Sequence, residues 1–252
     1  MSKSNYHYDP ELGGDRFVGV SGVAGNIPPS IINHKPSRSV FINQVLNYVS
    51  IQLLITAVIS GFMYKNRESV IESFNNDPGL FWFPVIMTFI SLICMFLKCC
   101  QKIMFLVFTI SCSIMVGTTV LQYAPQIVFM AVITTMFIVW IINGYSYWCV
   151  KHNKSLSFME PFLGTGLCML IIIGILNIFI QSSFIHLVIT AFGVILFTGY
   201  LLFDLNRLYD NGDDDHLQDP MLAAVAIYLD IINLFIYLLE LYDKIFGKSR
   251  AR

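Results

Sequence analysis

The chain has 252 residues, a net charge of −1, and only 12% Asp, Glu, Lys and Arg. Soluble domains carry about 25% charged residues, and with a mean hydropathy of +0.69 this composition reads as an integral membrane protein. It offers no basic field for nucleic acid, so the expected surrounding is a lipid bilayer.

Residues 1–42 are polar, with Gly13-Gly14 and Pro28-Pro29. They read as a tail without a cleavable signal peptide, since no short apolar core leads to a small-residue cleavage site. Seven apolar segments follow, at 43–64, 79–97, 103–122, 127–147, 162–180, 184–203 and 221–239. Each is close to the ~20 residues a helix needs to span the hydrocarbon core, and in lipid the backbone must satisfy itself within the helix. The expected organisation is a tail (1–42), a helical membrane domain (43–241) and a basic C-terminal tail (242–252). Pro84 falls in the first two turns of the second segment, where it costs least. Gly193 with Gly199, and Ala223 with Ala226, would permit close helix contacts.

Short loops let positive charge set orientation. Lys3, Arg16, Lys35 and Arg38 in the tail, Lys98 and Lys102 in the second loop, and Lys151 and Lys154 in the fourth place the N-terminus in the cytosol. The first loop, with Lys65, Arg67, Glu68, Glu72 and Asp77, then faces the lumen or exterior. The C-terminal Lys244, Lys248, Arg250 and Arg252 conflict with seven full crossings. Two resolutions stand open: the last segment dips and returns, or six apolar helices outvote a short tail. Lys248-Ser249-Arg250-Ala251-Arg252 weakly resembles a retrieval signal for early secretory membranes, and it functions only in the cytosol. Asn153-Lys154-Ser155 is a sequon on the side where no glycan is expected.

The six cysteines, Cys94, Cys99, Cys100, Cys112, Cys149 and Cys168, include no CxxC pair. They are neither a disulfide framework nor a zinc site. Cys99 and Cys100 read as ordinary membrane-edge thiols beside Lys98. Glu160-Pro161 reads as a helix start, and His186 as an interfacial residue. The sixth loop (Asp210, Asp213, Asp214, Asp215, Asp219) lacks EF-hand spacing and reads as a solvated acidic turn.

Two carboxylates stand out. Asp204 closes the sixth segment and Asp230 sits in the middle of the seventh. A charge at mid-bilayer costs about 2.5–3.5 kcal/mol on insertion scales, and such residues face the bundle interior. Ala226, Asp230, Asn233 and Tyr237 fall at helical spacing and form a polar seam. Arg207, three residues beyond Asp204, offers that carboxylate an ordinary helix-end partner. Asp230 has no cation nearer in sequence than Lys244. If the two aspartates meet in a dry site, both cannot ionise cheaply, and they titrate as a pair. With a proton they form a clasp between two helices. Without it they must separate or recruit a cation. Carboxylate oxygens suit calcium, with Asn233, Tyr237 and backbone carbonyls as further ligands. If they meet, the pair Asp204–Asp230 reads as a proton-controlled cation gate and a calcium-binding point; the alternatives are a helix-end pair of Asp204 with Arg207 and, for Asp230, a neutral, hydrogen-bonded core carboxyl. The chain shows no nucleophile paired with a base and no paired-histidine metal motif, so an enzyme is not expected.

Several stretches resemble the transmembrane Bax-inhibitor-motif family, which includes lifeguard and Golgi anti-apoptotic proteins. They are Arg38-x-Val40-Phe41 with Gln52-Leu53-Leu54-x-Thr56, Val107-Phe108-Thr109, Ala131-x-x-Thr134 with Lys151…Phe158, and Gly193-Val194-x-Leu196-Phe197 leading to Asp204. The closest match is Ala223-Ala224 followed by Tyr228-Leu229-Asp230-Ile231-Ile232-Asn233-Leu234-Phe235. Together these cover about residues 38 to 240. Leu205-Asn206 replaces the family's usual Thr-Gln, and residues 79–97 lack the arginine that some members pair with the first aspartate. The resemblance implies an all-α fold of seven helices with the last surrounded by the other six. It also implies a calcium-permeable leak in endomembranes (Golgi or endoplasmic reticulum), gated by protonation of the aspartate pair, and suppression of apoptosis by altering stored calcium; no cofactor is expected. The alternative is a scaffold that restrains cell death by binding other membrane proteins of that signalling, without conducting ions.

Overall fold

The computed structural model describes residues 38–77, 79–98, 100–152, 154, 156–210 and 219–247. These form eight helices: α1 (Arg38–Lys65), α2 (Arg67–Asn76), α3 (Gly79–Phe96), α4 (Gln101–Val120), α5 (Pro125–Lys151), α6 (Met159–Ile180), α7 (Ser183–Asp210) and α8 (Pro220–Phe246). Six of them, α1 and α4 to α8, are long and apolar enough to cross a membrane, and α3 contributes a shorter apolar stretch, Trp82–Phe96. The chain is a multi-pass helical membrane protein. Large apolar side chains such as Phe62, Trp140, Phe162 and Phe179 point outward. On a soluble protein they would be a liability, whereas in lipid they are the solvated surface.

The helices extend beyond the apolar segments expected from the sequence. α1 starts at Arg38, α7 runs through Asp210, and α8 continues to Phe246. A helix can run past the hydrocarbon core into the headgroup layer, where charges are tolerated. The first loop also differs from expectation, because ten of its residues form α2. Val70 and Phe74, four apart, are its half-buried side, while Glu68 and Glu72 face out. Asp77 accepts a bond from the Gly79 amide at 2.9 Å and turns the chain into α3.

α8 is the most buried of the long helices, with Ala224, Tyr228, Leu234 and Leu239 fully enclosed. It packs chiefly against α1, α4, α5 and α7, while α3 lies on α4 and α6 on α7. The enclosure is thus narrower than the expected ring of six helices. Over 27 residues α8 has no break, which at 1.5 Å per residue is roughly 40 Å. It therefore has the length of a full crossing, not the shape of a dip and return. Pro220 supplies its first helical position, and Asp219 caps it by accepting from the Met221 amide at 3.0 Å. Asp219 also accepts from the Gln101 side-chain amide, which ties the start of α8 to the start of α4.

A buried polar knot fixes α1, α4 and α8. The Thr56 hydroxyl meets Ser113 at 2.9 Å and the Tyr228 hydroxyl at 2.8 Å, and the Gln52 amide donates to Thr109 at 3.1 Å. Away from water each such group needs a partner, so the knot sets the register of the three helices. Small residues do the rest. Gly193 lies against Tyr237 of α8, and Gly199 and Gly166 lie against Leu163 and Leu196 across the α6–α7 contact.

Candidate functional site

α7 and α8 run antiparallel and face each other along two matched stripes. On α7 the stripe is His186, Thr190, Gly193, Phe197, Tyr200 and Asp204. On α8 it is Asp230, Asn233, Tyr237, Glu240 and Lys244. Both follow alternating steps of three and four, which keep one face of a helix turned to one neighbour.

At one end of this seam the two aspartates come together. Asp230 is 7% exposed and Asp204 is half-buried, and their carboxyl groups lie close enough to share a hydrogen bond. A hydrogen bond between two carboxyls requires a proton on one of them. Oδ2 of Asp230 is enclosed and has no partner. Arg207 is exposed and acts on Asp204 through its charge. Asp230, not Arg207, closes against Asp204. The hydroxyl of Tyr200, one turn before Asp204 on α7, lies within electrostatic reach of both carboxyls and of Cys168 on α6. Asn206, two residues past Asp204, is buried, and its Nδ2 has no partner.

Further along the seam, Phe197 and Tyr237 stack with centroids 5.6 Å apart and planes 20° apart. Beside the stack the seam opens into a cavity of about 540 Å³ between α6, α7 and α8. Asn233, Tyr237, Glu240, Lys244, His186 and Asn177 are among the residues that line it. The Glu240 carboxylate accepts from the Thr190 hydroxyl at 3.4 Å. Thr190 also sits 3.3 Å from Nδ1 of His186. Gln181, in the left-handed conformation at φ 51°, ends α6 and donates its amide to the Asn177 carbonyl at 2.8 Å. The phenol of Tyr123, in the α4–α5 connection, is pushed up to about 12, first by burial and then by the charges of Glu240 and Asp243.

Of the residues singled out by sequence, the structure brings Asp204 and Asp230 together. Asn233 and Tyr237 lie on the same face but belong to the cavity. The Asn233 amide donates to the Leu229 carbonyl at 2.8 Å, which leaves its Oδ1 directed elsewhere. Among the described residues no three His, Cys, Asp or Glu side chains converge as a metal site. Calcium at the pair would therefore need amide, hydroxyl and carbonyl oxygens as well. Tyr200, Thr190, Glu240 and Lys244 are functional-face residues that sequence reasoning passed over. Continuation of the step pattern past Tyr237 is the signal that reaches the last two. Cys99, the Asn153 sequon, Asp213 to Asp215 and the tail from Lys248 lie outside the described residues.

Comparison with known proteins gives a consistent answer. The family model described as Inhibitor of apoptosis-promoting Bax1 matches residues 38–250. The chain is 32% identical to a BI1-like protein of Arabidopsis thaliana, over 80% of this chain and 79% of that one. It is 27% identical to Protein LIFEGUARD 4 of the same plant, over 96% and 98%. It is 31% identical to the Golgi anti-apoptotic protein of Vaccinia virus (strain Lister), over 54% and 55%.

Proposed function

The chain belongs to the family of inhibitors of apoptosis-promoting Bax1, and from that premise we propose that it is a proton-controlled calcium leak of an internal membrane that suppresses cell death. The observation that carries this reading is the meeting of Asp204 and Asp230 inside the bundle. An intramembrane carboxylate is costly and is kept for a partner or a task. Here the partner is a second carboxylate, which makes the contact depend on a proton.

With the proton in place, the pair holds α7 to α8 and the seam is shut. When the proton leaves, two anions face each other in a medium of low dielectric, where their repulsion is strong. The helices then part or draw a cation between them. Calcium, a hard ion, suits the carboxylates with the Tyr200 hydroxyl and backbone carbonyls. The Phe197–Tyr237 stack, on the same α7–α8 face and beside the cavity, serves as a second barrier on this route. Acid closes the route and alkali opens it.

The printed names of the relatives support the cell-death side of this reading: one is called anti-apoptotic and assigned to the Golgi. An N-terminus in the cytosol follows from the loop charges and puts the cavity on the lumenal side, where stored calcium would enter. The test is calcium efflux from proteoliposomes holding the purified chain, measured at acid and mildly alkaline pH. Efflux that rises with pH supports the leak. Absence of efflux at every pH turns the account toward a scaffold that binds other membrane proteins.

A further inference from the structure

The cavity beside the α7–α8 seam lies where α6 ends and α7 begins, with Gln181, Ser182 and Ser183 in its wall. A two-residue connection between two spanning helices sits at the level of the lipid headgroups. There α6 rests on α7 and makes little contact with α8. Ile178, in the same wall, is 69% exposed on the outer face of α6, so the cavity and the lipid-facing surface are continuous. The lining holds both signs of charge. Glu240 is its carboxylate, and the basic groups of His186 and Lys244 lie within electrostatic reach of it. Oδ1 of Asn177 is an enclosed acceptor without a donor, an unfavourable state until some group donates to it. A metal cation would meet Lys244 and His186, and a lone anion would meet Glu240. A group that is neutral overall and carries one charge of each sign meets neither objection.

We propose that this cavity seats the headgroup of a zwitterionic phospholipid with a primary ammonium, phosphatidylethanolamine. The ammonium donates to the Glu240 carboxylate and to Oδ1 of Asn177. The phosphate faces Lys244, which gives that lysine an anion of its own, and the Ser183 hydroxyl is a further donor in the wall. Both contacts are charge-assisted, the stronger kind of hydrogen bond. The quaternary nitrogen of phosphatidylcholine has no N–H and leaves Asn177 unsatisfied, so the site selects ethanolamine over choline. The volume of about 540 Å³ falls in the range of about 300–1,000 Å³ for small-ligand pockets. The acyl chains leave past Ile178 into the bilayer. Soluble phosphoethanolamine carries the same charges, but only the lipid adds apolar burial along α6. Seating a headgroup needs the cavity alone and holds whether or not the chain conducts calcium.

The experiment is native mass spectrometry of the purified chain in detergent, with phosphatidylethanolamine, phosphatidylcholine and phosphatidylglycerol of identical acyl chains added in equal amounts. The wild type should retain the ethanolamine lipid about fivefold or more over each of the others, the worth of one charged hydrogen bond. Asn177→Leu removes the acceptor while filling its space, and it should bring the ratio of ethanolamine to choline lipid close to one. Glu240→Gln should lower the same ratio, and Lys244→Gln should weaken retention of both lipids. Lys102→Gln should change nothing, because Lys102 lies beside the start of α8, at the opposite end of the bundle. Equal retention of ethanolamine and choline lipids by the wild type, an undiminished ratio in Asn177→Leu, or a preference for phosphatidylglycerol would each overturn the proposal. Phosphoethanolamine in solution should not displace the bound lipid; displacement would assign the cavity to a soluble zwitterion and overturn the lipid as its occupant.

Discussion

The ring of Tyr237 fills the space that a side chain on Gly193 would need: a Cβ there would lie 2.6 Å from Cδ1 of the ring and 2.7 Å from Cγ. Glycine at 193 is thus what lets the α8 tyrosine lie flat against α7 and stack on Phe197. Gly193→Ala must push the ring aside. Overpacking of this kind costs about 1–3 kcal/mol. Thermal unfolding in detergent should show that loss, and the liposome assay should show higher calcium efflux at acid pH, because one of two barriers is displaced. Unchanged stability would mean that the ring moves freely and is no barrier.

The knot between α1, α4 and α8 should matter through its hydroxyl, not its methyl. Thr56→Val keeps the shape but removes the group that joins Ser113 and Tyr228. Hydrogen bonds between membrane helices average about 0.6 kcal/mol and reach about 1.7, and a three-way contact belongs near the upper end. Thr56→Val should therefore cost about 1–2 kcal/mol in denaturant unfolding from micelles, and Thr56→Ser distinctly less. Equal losses would assign the position to packing.

Asp219 does two things at the start of α8: it caps the helix and it holds Gln101 of α4. Asp219→Ala should cost about 0.5–2 kcal/mol, the range for a lost cap. Hydrogen exchange should speed up at the amides of Met221 and Leu222 and not in the middle of α8. Gln101→Ala should leave the cap intact and raise exchange less.

How far the sequence carried depended on which physical signal each element left in the letters. Long apolar runs mark helices without ambiguity, so α1 and α3 to α8 were legible. Asp204 and Asp230 were legible because a carboxylate inside such a run is expensive. α2 was not, since ten residues with two glutamates and an arginine look like a loop until Val70 and Phe74 are seen turned to one side. Helix ends were missed where hydropathy falls before the helix stops, as at Glu240 and Lys244. That error hid the cavity, because both residues were left outside the seam they extend. His186 read as a lone interfacial histidine; Thr190 and Glu240 beside it come from positions four and fifty-four residues away. The meeting of Asp204 with Asp230 across the acidic loop is a matter of depth, fixed by the Asp219 cap and the register of α8, which no local pattern encodes.

The measurement that bears most directly on the account is calcium efflux from proteoliposomes across a range of pH for four proteins: wild type, Asp204→Asn, Asp230→Asn and the double variant. If the two carboxyls act as one proton-holding unit, either single substitution should flatten the rise of efflux with pH, and the double should change little more, since coupled sites do not add. Full pH response in either single variant, or two partial losses that simply sum in the double, would contradict a shared gate at Asp204 and Asp230.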